Sequence, residues 1–291
     1  MSSRLFDKGR DAYLEKLIGW TADTQKAMLL DMTVAGTWLK QITNVTNANP
    51  AVYTSTAHGF SNNDIVVVLG VKGNLSTNQI GRVASAAANT FQLVTLQQGL
   101  AVAGSGAYTS GGSAINLTQA QFVTDILGGR IGADVSLAGT SSTAGIANAS
   151  NWTWTAVTGN PAQAVILYDA AGGSDATNRL VCYLDGQISV VVDKAVASTD
   201  TSIIIEPAKA GIPNGTVLTF SNGQALTVNA TVSQGDRAIT ILSAGGAVPA
   251  GHTAETYATQ AGLPVTPNGG NINFVVGTIY APNLPTGLFM L

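Results

Sequence analysis

The residues best suited to acid–base chemistry are few in this chain and stand far apart. Among 291 residues there are two histidines, His58 and His252, and neither lies near a carboxylate pair or in a Gly-x-Ser-x-Gly motif. His58 precedes a glycine and His252 follows one, and glycine commonly marks turns. We therefore interpret both as turn histidines that hydrogen-bond the backbone, rather than as general bases or metal ligands.

The carboxylates indicate no clearer site. Asp169, Asp185 and Asp193 follow predicted strands, a position where turn-forming aspartates are common. A glycosidase needs two carboxyl groups about 5 to 10 Å apart, and the sequence nominates no such pair. It also contains no P-loop, no dinucleotide-binding fingerprint and no metal-spaced cluster. We therefore expect no enzymatic activity, no catalytic or cofactor-binding residues, and no metal site.

The single cysteine, Cys182, lies in the apolar segment 180–184, which is predicted to be a strand. One cysteine permits no internal disulfide framework and no cysteine-based zinc site. A thiol within an apolar strand is expected to be buried and inert rather than nucleophilic.

Charge is scarce in the whole sequence. Only 10% of the residues are charged, against roughly 25% in an ordinary globular domain. The hydrophobic content of 45% excludes a disordered chain. The net charge of −3 comes without any basic run, which argues against nucleic-acid binding.

The sequence also lacks membrane and export signals. No apolar run approaches the roughly 20 residues that are needed to span a bilayer. The charged N-terminus has no apolar core of the kind found in signal peptides. We therefore expect a protein that is made in a cytoplasm and does not interact with a membrane.

A surface so poor in charge has two explanations. The chain is either an extracellular or thermally robust β protein, or a subunit of a large assembly in which protein contacts replace solvent. We favour the assembly, because a subunit whose surface is covered by protein contacts needs few surface charges to stay soluble.

Charged residues concentrate in the first 40 positions, which hold eleven of them. Five apolar residues recur there at helical spacing: Phe6, Tyr13, Leu14, Leu17 and Ile18. This pattern predicts one amphipathic helix over residues 3–19. Ser2 or Ser3 is a suitable N-cap, and Gly19 lies where a C-terminal glycine is favoured. The charged face either docks on a partner or is solvated.

After residue 40 the sequence changes to short segments of strand composition that are separated by turn residues. Residues 65–69 and 164–169 predict buried strands, and residues 91–96 alternate like a half-buried strand. Asp185-Gly186 predicts a hairpin turn. Apolar strands followed by x-Pro-x-Gly occur twice, at 212–215 and 248–251, which indicates a small barrel or sandwich of two related halves.

A dense series of short motifs runs through about 70 residues near the start of this β-rich region. The motifs are Ile-Thr-Asn-Val at 42–45, Asn-Pro-Ala-Val at 49–52, Ala-His-Gly-Phe at 57–60, Gly-Val-Lys-Gly at 70–73, Thr-Phe-Gln-Leu at 90–93 and Tyr-Thr-Ser-Gly-Gly at 108–112. The series resembles a small β domain, here called the AHGF-type domain, that recurs in phage structural proteins. Domains of this type are likened to a module of ubiquitin-activating enzymes, which implies no ubiquitin chemistry because fold does not carry function.

The flanking segments carry a second set of motifs. They are RLFDKGR at 4–10, AMLLD at 27–31, VTGNPAQA at 157–164 and LPVTPNGG at 263–270. This set resembles a family of tailed-bacteriophage virion structural proteins that begins with RLFDKGR and ends with LPVTPNGG. Residues 201–220 resemble the Ile-Pro-x-Gly-Thr-x-Leu-Thr-Phe repeats of phage virion proteins.

Together the two resemblances imply a nested domain organisation. A discontinuous core of residues 1–40, 114–196 and 259–291 is interrupted by one β module at 41–113 and a second at 197–258. The predicted fold is mainly β, with a β-sandwich-like core, an N-terminal amphipathic helix and two small inserted β modules. Insertions are tolerated at exposed loops whose ends lie close together, so both modules are expected to project from the core.

The resemblance implies a non-enzymatic structural component of a tailed-phage particle, assembled in the host cytoplasm and located in the virion. Its expected partners are the major capsid protein or other virion proteins, and it is expected to form a homo-oligomer without contacting nucleic acid or a membrane. We favour a capsid decoration or cement (head auxiliary) protein.

The alternative is a neck, tail or baseplate component whose inserted module contacts the host surface, for example a host-surface glycan. Exposed tryptophan or tyrosine platforms favour glycan contact. Trp152 and Trp154 fall in the predicted core, where we expect them to pack, and the inserts contain no tryptophan.

Overall fold

The computed structural model shows a β-rich, sandwich-like architecture of several antiparallel sheets. Strands make up 39% of it and helices 7%, so the predicted mainly β class is confirmed. The structure describes residues 3–96, 98–143, 145–185, 187–205, 208, 212–220, 222–233, 236–242, 245–250, 252–257, 265–274 and 288–290.

The described residues form one α-helix and 23 strands. The helix is α1 (Asp7–Leu14), and short 3₁₀ turns lie at Leu75–Thr77, Val123–Asp125 and Leu127–Gly129. The strands are β1 (Ser3–Leu5), β2 (Gln25–Leu30), β3 (Leu39–Gln41), β4 (Asn44–Val45), β5 (Val52–Thr54), β6 (Ile65–Leu69), β7 (Ile80–Ala84), β8 (Thr90–Thr95), β9 (Ser113–Asn116), β10 (Arg130–Ser136), β11 (Ser141–Thr143), β12 (Ile146–Asn148), β13 (Trp152–Trp154), β14 (Ala164–Asp169), β15 (Arg179–Asp185), β16 (Gln187–Val191), β17 (Ser202–Ile204), β18 (Val217–Thr219), β19 (Ala225–Thr227), β20 (Ala238–Thr240), β21 (Thr253–Tyr257), β22 (Ile272–Phe274) and β23 (Phe289–Met290).

The chain divides into two compact units, and each of them is assembled from separate stretches of sequence. The first unit comprises Met1–Leu39, Leu117–Gln187 and Tyr257–Leu291, and the second comprises Lys40–Asn116 and Ile188–Thr256. Whether the second unit consists of two independent modules, as the sequence predicts, stays a prediction.

The first unit is organised around a five-stranded antiparallel sheet in the order β1-β15-β14-β2-β10. The central strand β14 is buried at all six positions, and it pairs with β2 from Ala164–Leu30 to Asp169–Gln25. A strand covered on both faces needs apolar side chains on both, which explains the near-continuous apolar run that the sequence shows here.

The core on one face of this sheet is built from alternate strand residues and aromatic side chains. Val165 and Leu167 of β14 and Cys182 of β15 contribute to it. Trp152 stacks on Phe274 across the β13–β22 pair, with ring centroids 4.1 Å apart. Trp152 and Trp154 are 5% and 2% exposed, so their prediction as packing residues is confirmed.

The N-terminal helix is shorter than the sequence predicts. Residues 3–5 form β1, which pairs with β15, and α1 then spans eight residues. It ends at Leu14 with Glu15 as the C-cap, because Lys16 adopts a left-handed conformation with φ of 60°. The Leu17 N–H donates to the Ala12 carbonyl at 2.8 Å, and the Lys16 N–H donates to the Tyr13 carbonyl at 3.1 Å. These two bonds form a Schellman motif without glycine.

Three details of the predicted helix are therefore wrong. Phe6 is the N-cap residue and makes no side-chain cap bond, so Ser3 does not cap the helix, and Ser2 lies outside the described residues. Gly19 is not the C-terminal residue. On the predicted apolar face, Leu14 is 84% exposed, because the helix ends before that face can complete another turn.

The second unit contains a seven-stranded antiparallel sheet in the order β3-β9-β6-β7-β8-β5-β4. The predicted strands at 65–69 and 91–96 are confirmed as β6 and β8, and β8 alternates between half-buried and buried positions. An aromatic cluster fills the interior, where Tyr53 stacks on Phe91 with centroids 4.9 Å apart and Phe60 meets the same ring edge-on.

One segment of this unit buries polar side chains and exposes its leucine. Five of the six residues at 74–79 are buried and polar, whereas Leu75 is 53% exposed. The Asn78 side chain accepts the Val71 N–H at 2.8 Å and donates to the Val71 carbonyl at 2.9 Å, so it substitutes for a neighbouring strand. Asn74 donates to the Thr46 carbonyl and accepts the Ser105 N–H. The buried polar groups are thus satisfied, as burial requires.

The remaining strands of the second unit form two halves with equivalent pairings. At a constant spacing along the chain, Val192–Ile205 corresponds to Val228–Ile241, and Val196–Val248 corresponds to Ile212–Val232. Asp200 and Asp236 occupy equivalent turns, and each accepts the N–H of the third residue before it, at 2.9 and 2.8 Å respectively. This pairing agrees with the two related halves that the x-Pro-x-Gly segments predict.

The Schellman motif generates a stability prediction. An L residue in the left-handed region costs about 1–2 kcal/mol. Glycine removes this cost, but part of the resulting stabilisation is lost because glycine increases the conformational entropy of the unfolded chain. We expect Lys16→Gly to raise the free energy of unfolding by about 0.5 to 1 kcal/mol, measured by urea denaturation. Lys8→Gly, an exposed position within α1, is the matched control and should lower it. A Lys16→Gly variant that is destabilised as much as the control would contradict this assignment.

Candidate functional site

An open cleft of about 320 Å³ lies in the first unit between the end of β2 and the start of β10. Its lining includes Asp31, Gly129, Gly132, Thr158 and Asn160. Asp31 is 1% exposed, and both of its carboxylate oxygens already accept hydrogen bonds. Thr33 donates from its N–H and its hydroxyl to Oδ1 at 2.8 and 2.6 Å, and Asn160 donates to Oδ2 at 2.8 Å. This carboxylate joins two loops and is not free to act as a base.

An ionic network lies along the edge strand β10. Arg130 donates two hydrogen bonds to Asp175 at 3.0 and 2.9 Å, and its guanidinium is 3.2 Å from Asp134. The Tyr168 hydroxyl donates to Asp134 Oδ2 at 2.6 Å. Burial raises the pKa of Asp134, and the contacts with Tyr168 and Arg130 oppose that rise. Arg130 thus faces two carboxylates, and the network ties β10 to Tyr168 of β14 and to the loop that contains Asp175.

Two carboxyl groups interact at the opposite end of β2. Asp169, the last residue of β14, is 2% exposed, and it interacts electrostatically with Asp23. Burial, together with the Asp23 carboxyl, raises the pKa of Asp169 to about 6, although the Ala171 N–H and Arg179 oppose that rise. The sequence placed Asp169 in a turn but did not associate it with Asp23.

Two of the three strand-end aspartates lie at opposite ends of one pair of strands. Asp169 and Asp185 stand at opposite ends of the β14–β15 ladder, which runs from Ala164–Asp185 to Asp169–Arg179. Asp193 belongs to the second unit. Since a ladder of this length spans well over the about 5–10 Å that glycosidase carboxyl groups require, Asp169 and Asp185 cannot act on one bond.

The His58 ring bonds to the backbone within the second unit. His58 Nδ1 accepts the Phe60 N–H at 2.9 Å, so its Nε2 carries the proton and donates to the Thr90 carbonyl at 3.1 Å. The predicted role of His58 as a backbone-bonding turn residue is confirmed. His252 is 6% exposed, and burial lowers its pKa. The predicted role of the His252 ring stays a prediction.

Cys182 is a free cysteine with no exposed surface. Burial raises its pKa far above the usual range of a thiol, so the thiolate form that reacts with electrophiles or metals is not populated. The prediction of a buried, inert thiol is confirmed.

The described residues include neither a metal-binding cluster nor a membrane-spanning helix. Across the part of the chain that the structure describes, no three His, Cys, Asp or Glu side chains are placed to hold a metal ion. Within the same ranges, no helix has the length and apolar character needed to cross a bilayer.

The surface of Lys40–Asn116, one part of the second unit, is more distinctive than any of these clusters. Lys40–Asn116 contains only four charged residues, namely Lys40, Asp64, Lys72 and Arg82. Asp64 is buried and accepts hydrogen bonds from Asn116 at 2.6 Å and from the Ser61 N–H at 2.9 Å. The surface of this stretch therefore carries three positive charges and no carboxylate.

The other half of the second unit exposes aliphatic side chains on strands. Ile204, Val217 and Leu242 are 41%, 48% and 61% exposed. Val217 pairs with Thr227, and the Leu242 N–H donates to the Thr227 carbonyl at 3.1 Å, so the two apolar side chains flank one threonine. The sequence analysis missed this surface, although alternation along 238–242 signals that Leu242 faces away from Ile239 and Ile241.

No protein-family model matches this sequence, and a search of curated proteins returns no significant match.

The ionic network on β10 yields a prediction. We expect Arg130→Met to lower the free energy of unfolding by about 2 kcal/mol, because it leaves the Asp134 carboxylate buried without its cation, although partial exposure of Arg130 moderates the loss. Arg10→Met is the matched control: Arg10 pairs with Asp7 at the surface, where such pairs contribute less than about 1 kcal/mol. Equal losses in the two variants, measured by chemical denaturation, would contradict a structural role for the network.

Proposed function

We propose that this chain is a non-enzymatic structural component of a tailed-phage particle, and that it decorates or cements the capsid. The observation that carries the proposal is the charge-poor β surface of Lys40–Asn116 in the second unit. A protein that stays dispersed in solution relies on surface charge against association, whereas a subunit that is covered by its neighbours does not. The expected partners are the major capsid protein and further copies of this chain.

The contacts between the phage-like motifs support this proposal. Motif 27–31 is bonded to motif 157–164 through Asp31 and Asn160, and the Gln163 N–H donates to the Leu30 carbonyl at 2.9 Å. Motif 157–164 is in turn bridged to the final motif, because Ala162 pairs with Val265. Segments that are far apart in sequence but resemble parts of one family thus meet in one unit, as parts of a single ancestral domain are expected to do.

The ends of the two predicted inserts support the nested organisation. The Ile42 N–H donates to the Gly112 carbonyl at 2.9 Å, so the two ends of the 41–113 segment lie side by side. The strand β16 lies shortly before the second insert, and it pairs with β21, which lies at the end of that insert. Adjacent ends are what a tolerated insertion requires. We therefore propose two small β modules inserted in a discontinuous β-sandwich-like core that also carries α1.

A neck, tail or baseplate location is the second candidate, with a module that contacts the host surface. The exposed aliphatic side chains Ile204, Val217 and Leu242 favour contact with protein over contact with a glycan, since glycans stack on aromatic rings. The proposal assigns no enzymatic activity, cofactor, nucleic-acid contact or membrane contact to the chain.

Quantitative mass spectrometry of purified particles tests the proposal, with the major capsid protein as the internal standard. We expect hundreds of copies per particle, because a decoration protein follows the capsid lattice. About 3 to 12 copies, the number for a ring around one particle axis, would instead place the chain at a vertex, neck or tail. Its absence from particles would contradict virion membership altogether.

A further inference from the structure

Three asparagines stand immediately before a glycine, namely Asn214, Asn222 and Asn268. An asparagine in this dipeptide is readily modified, because glycine has no side chain to keep its backbone nitrogen away from the asparagine Cγ. The glycine has a positive φ at all three sites, of 83°, 89° and 85° respectively. The three sites thus share one dipeptide and a similar glycine conformation, and their reactivity can be compared directly.

The glycine amides are engaged in the same way at the three sites. Each glycine N–H donates to a backbone carbonyl at 2.8 Å, and the donor–acceptor pairs are Gly215 with Val228, Gly223 with Phe220, and Gly269 with Val157. A bonded nitrogen must leave its acceptor before it can attack, so each site reacts only through local opening of its turn. The glycine amides therefore do not distinguish the sites.

The asparagine side chains do distinguish the sites. Asn268 Oδ1 accepts the Gly270 N–H at 3.0 Å. Asn222 is held at both polar atoms, because Oδ1 accepts the Gln224 N–H at 3.1 Å and Nδ2 donates to the Ala247 carbonyl at 3.0 Å. In both residues the side-chain oxygen closes an Asx turn on the amide two residues further on. The side-chain amide must leave this turn before its Cγ can be attacked.

The Asn214 side chain is exposed and makes no hydrogen bond within the part of the chain that the structure describes. Its turn is closed by Thr216 instead, whose N–H and hydroxyl donate to the Pro213 carbonyl at 3.3 and 2.8 Å. The equivalent turn in the other half of this module has an alanine, Ala250, at the same position of x-Pro-x-Gly. The turn is therefore built without the asparagine amide, which stays free to react.

We propose that Asn214 is a site of spontaneous deamidation in the folded protein, and that the fold protects Asn222 and Asn268. The Gly215 nitrogen attacks Asn214 Cγ, so that a C–N bond forms and the Cγ–Nδ2 bond breaks. The Nδ2 group leaves as ammonia with the proton of the Gly215 N–H. Water then opens the resulting cyclic imide at either carbonyl, which gives aspartate or isoaspartate. The reaction consumes water and requires no oxidant.

The modification changes a surface that otherwise has no charge. Residues 210–235 contain no charged residue, so the product at Asn214 is the first carboxylate of this stretch. It appears close to Val217 of β18, which is 48% exposed. In the isoaspartate product the main chain also runs through the former side chain, which lengthens the turn before β18. The inference concerns the second unit alone and does not depend on membership of a phage particle.

Peptide mapping by mass spectrometry tests the proposal on the full chain, incubated folded at mildly alkaline pH. We expect Asn214 to convert up to about tenfold faster than Asn268, and faster still than Asn222, because each side-chain hydrogen bond reduces the reactive population by up to about tenfold. In the urea-unfolded chain the three sites should convert at similar rates.

Three outcomes would overturn the proposal. The first is conversion of Asn222 or Asn268 as fast as Asn214 in the folded chain. The second is an unreactive Asn214 in the folded chain under conditions in which the unfolded chain converts. The third is a preference for Asn214 that is already present in the unfolded chain, because the fold would then not be its cause.

Two variants sharpen the test. Asn214→Ala copies the residue of the equivalent turn, Ala250, and should abolish the acidic form that builds up in the incubated chain, as resolved by ion-exchange chromatography. Asn268→Ala is the matched control and should leave that form in place. Persistence of the acidic form in Asn214→Ala would contradict the assignment. If Asn214→Ala does not fold, the peptide map of the wild-type chain decides, because it needs no variant.

Discussion

The first unit depends on β14 finding partners on both of its edges from distant parts of the chain. β2 precedes it by more than a hundred residues, yet pairs with it over its whole length, and β15 closes the other edge. Until both neighbours are in place, six consecutive residues that are buried in the folded state remain exposed. The Asp31–Asn160 bond and the ionic network of Arg130 tie this three-strand centre to its surroundings. They can do so only after the pairing has formed.

The molecule replaces charge by internal polar bonding. Asn74 and Asn78 bond backbone groups in place of a neighbouring strand, and His58 does the same with both ring nitrogens. Asp64, the one carboxylate of Lys40–Asn116, is buried and paired with Asn116. Such groups stabilise a small β fold without salt bridges at its surface. The resulting surface has little to keep it from contacting other proteins, which is the property that the proposed role in a particle uses.

Periodicity predicted the elements that are set by their own residues, and it failed where distant segments decide. The apolar run of β6, the alternation of β8 and the burial of Cys182 follow from local pattern. The helix over 3–19 was wrong because β15 recruits Ser3–Leu5 as a strand and because Lys16 turns left-handed, and neither event has a helical-period signal. The interaction of Asp23 with Asp169 was beyond reach for the same reason. Arg130 and Asp134 are four residues apart, a spacing that indicates a helix, yet a bulge in β10 brings them together.

The central claim is that the first unit is complete without residues 41–113, whose ends meet where Ser113 Oγ donates to the Gln41 side chain at 3.1 Å. The most direct measurement is cooperative unfolding of a chain in which a short glycine linker joins Gln41 to Ser113. The near-ultraviolet circular dichroism of the stacked Trp152 and Phe274 rings reports on the core. The account predicts that the folded, shortened chain keeps this signal. On unfolding, the signal should be lost in a single cooperative transition. A soluble chain without that signal, or with no cooperative transition, would contradict the account.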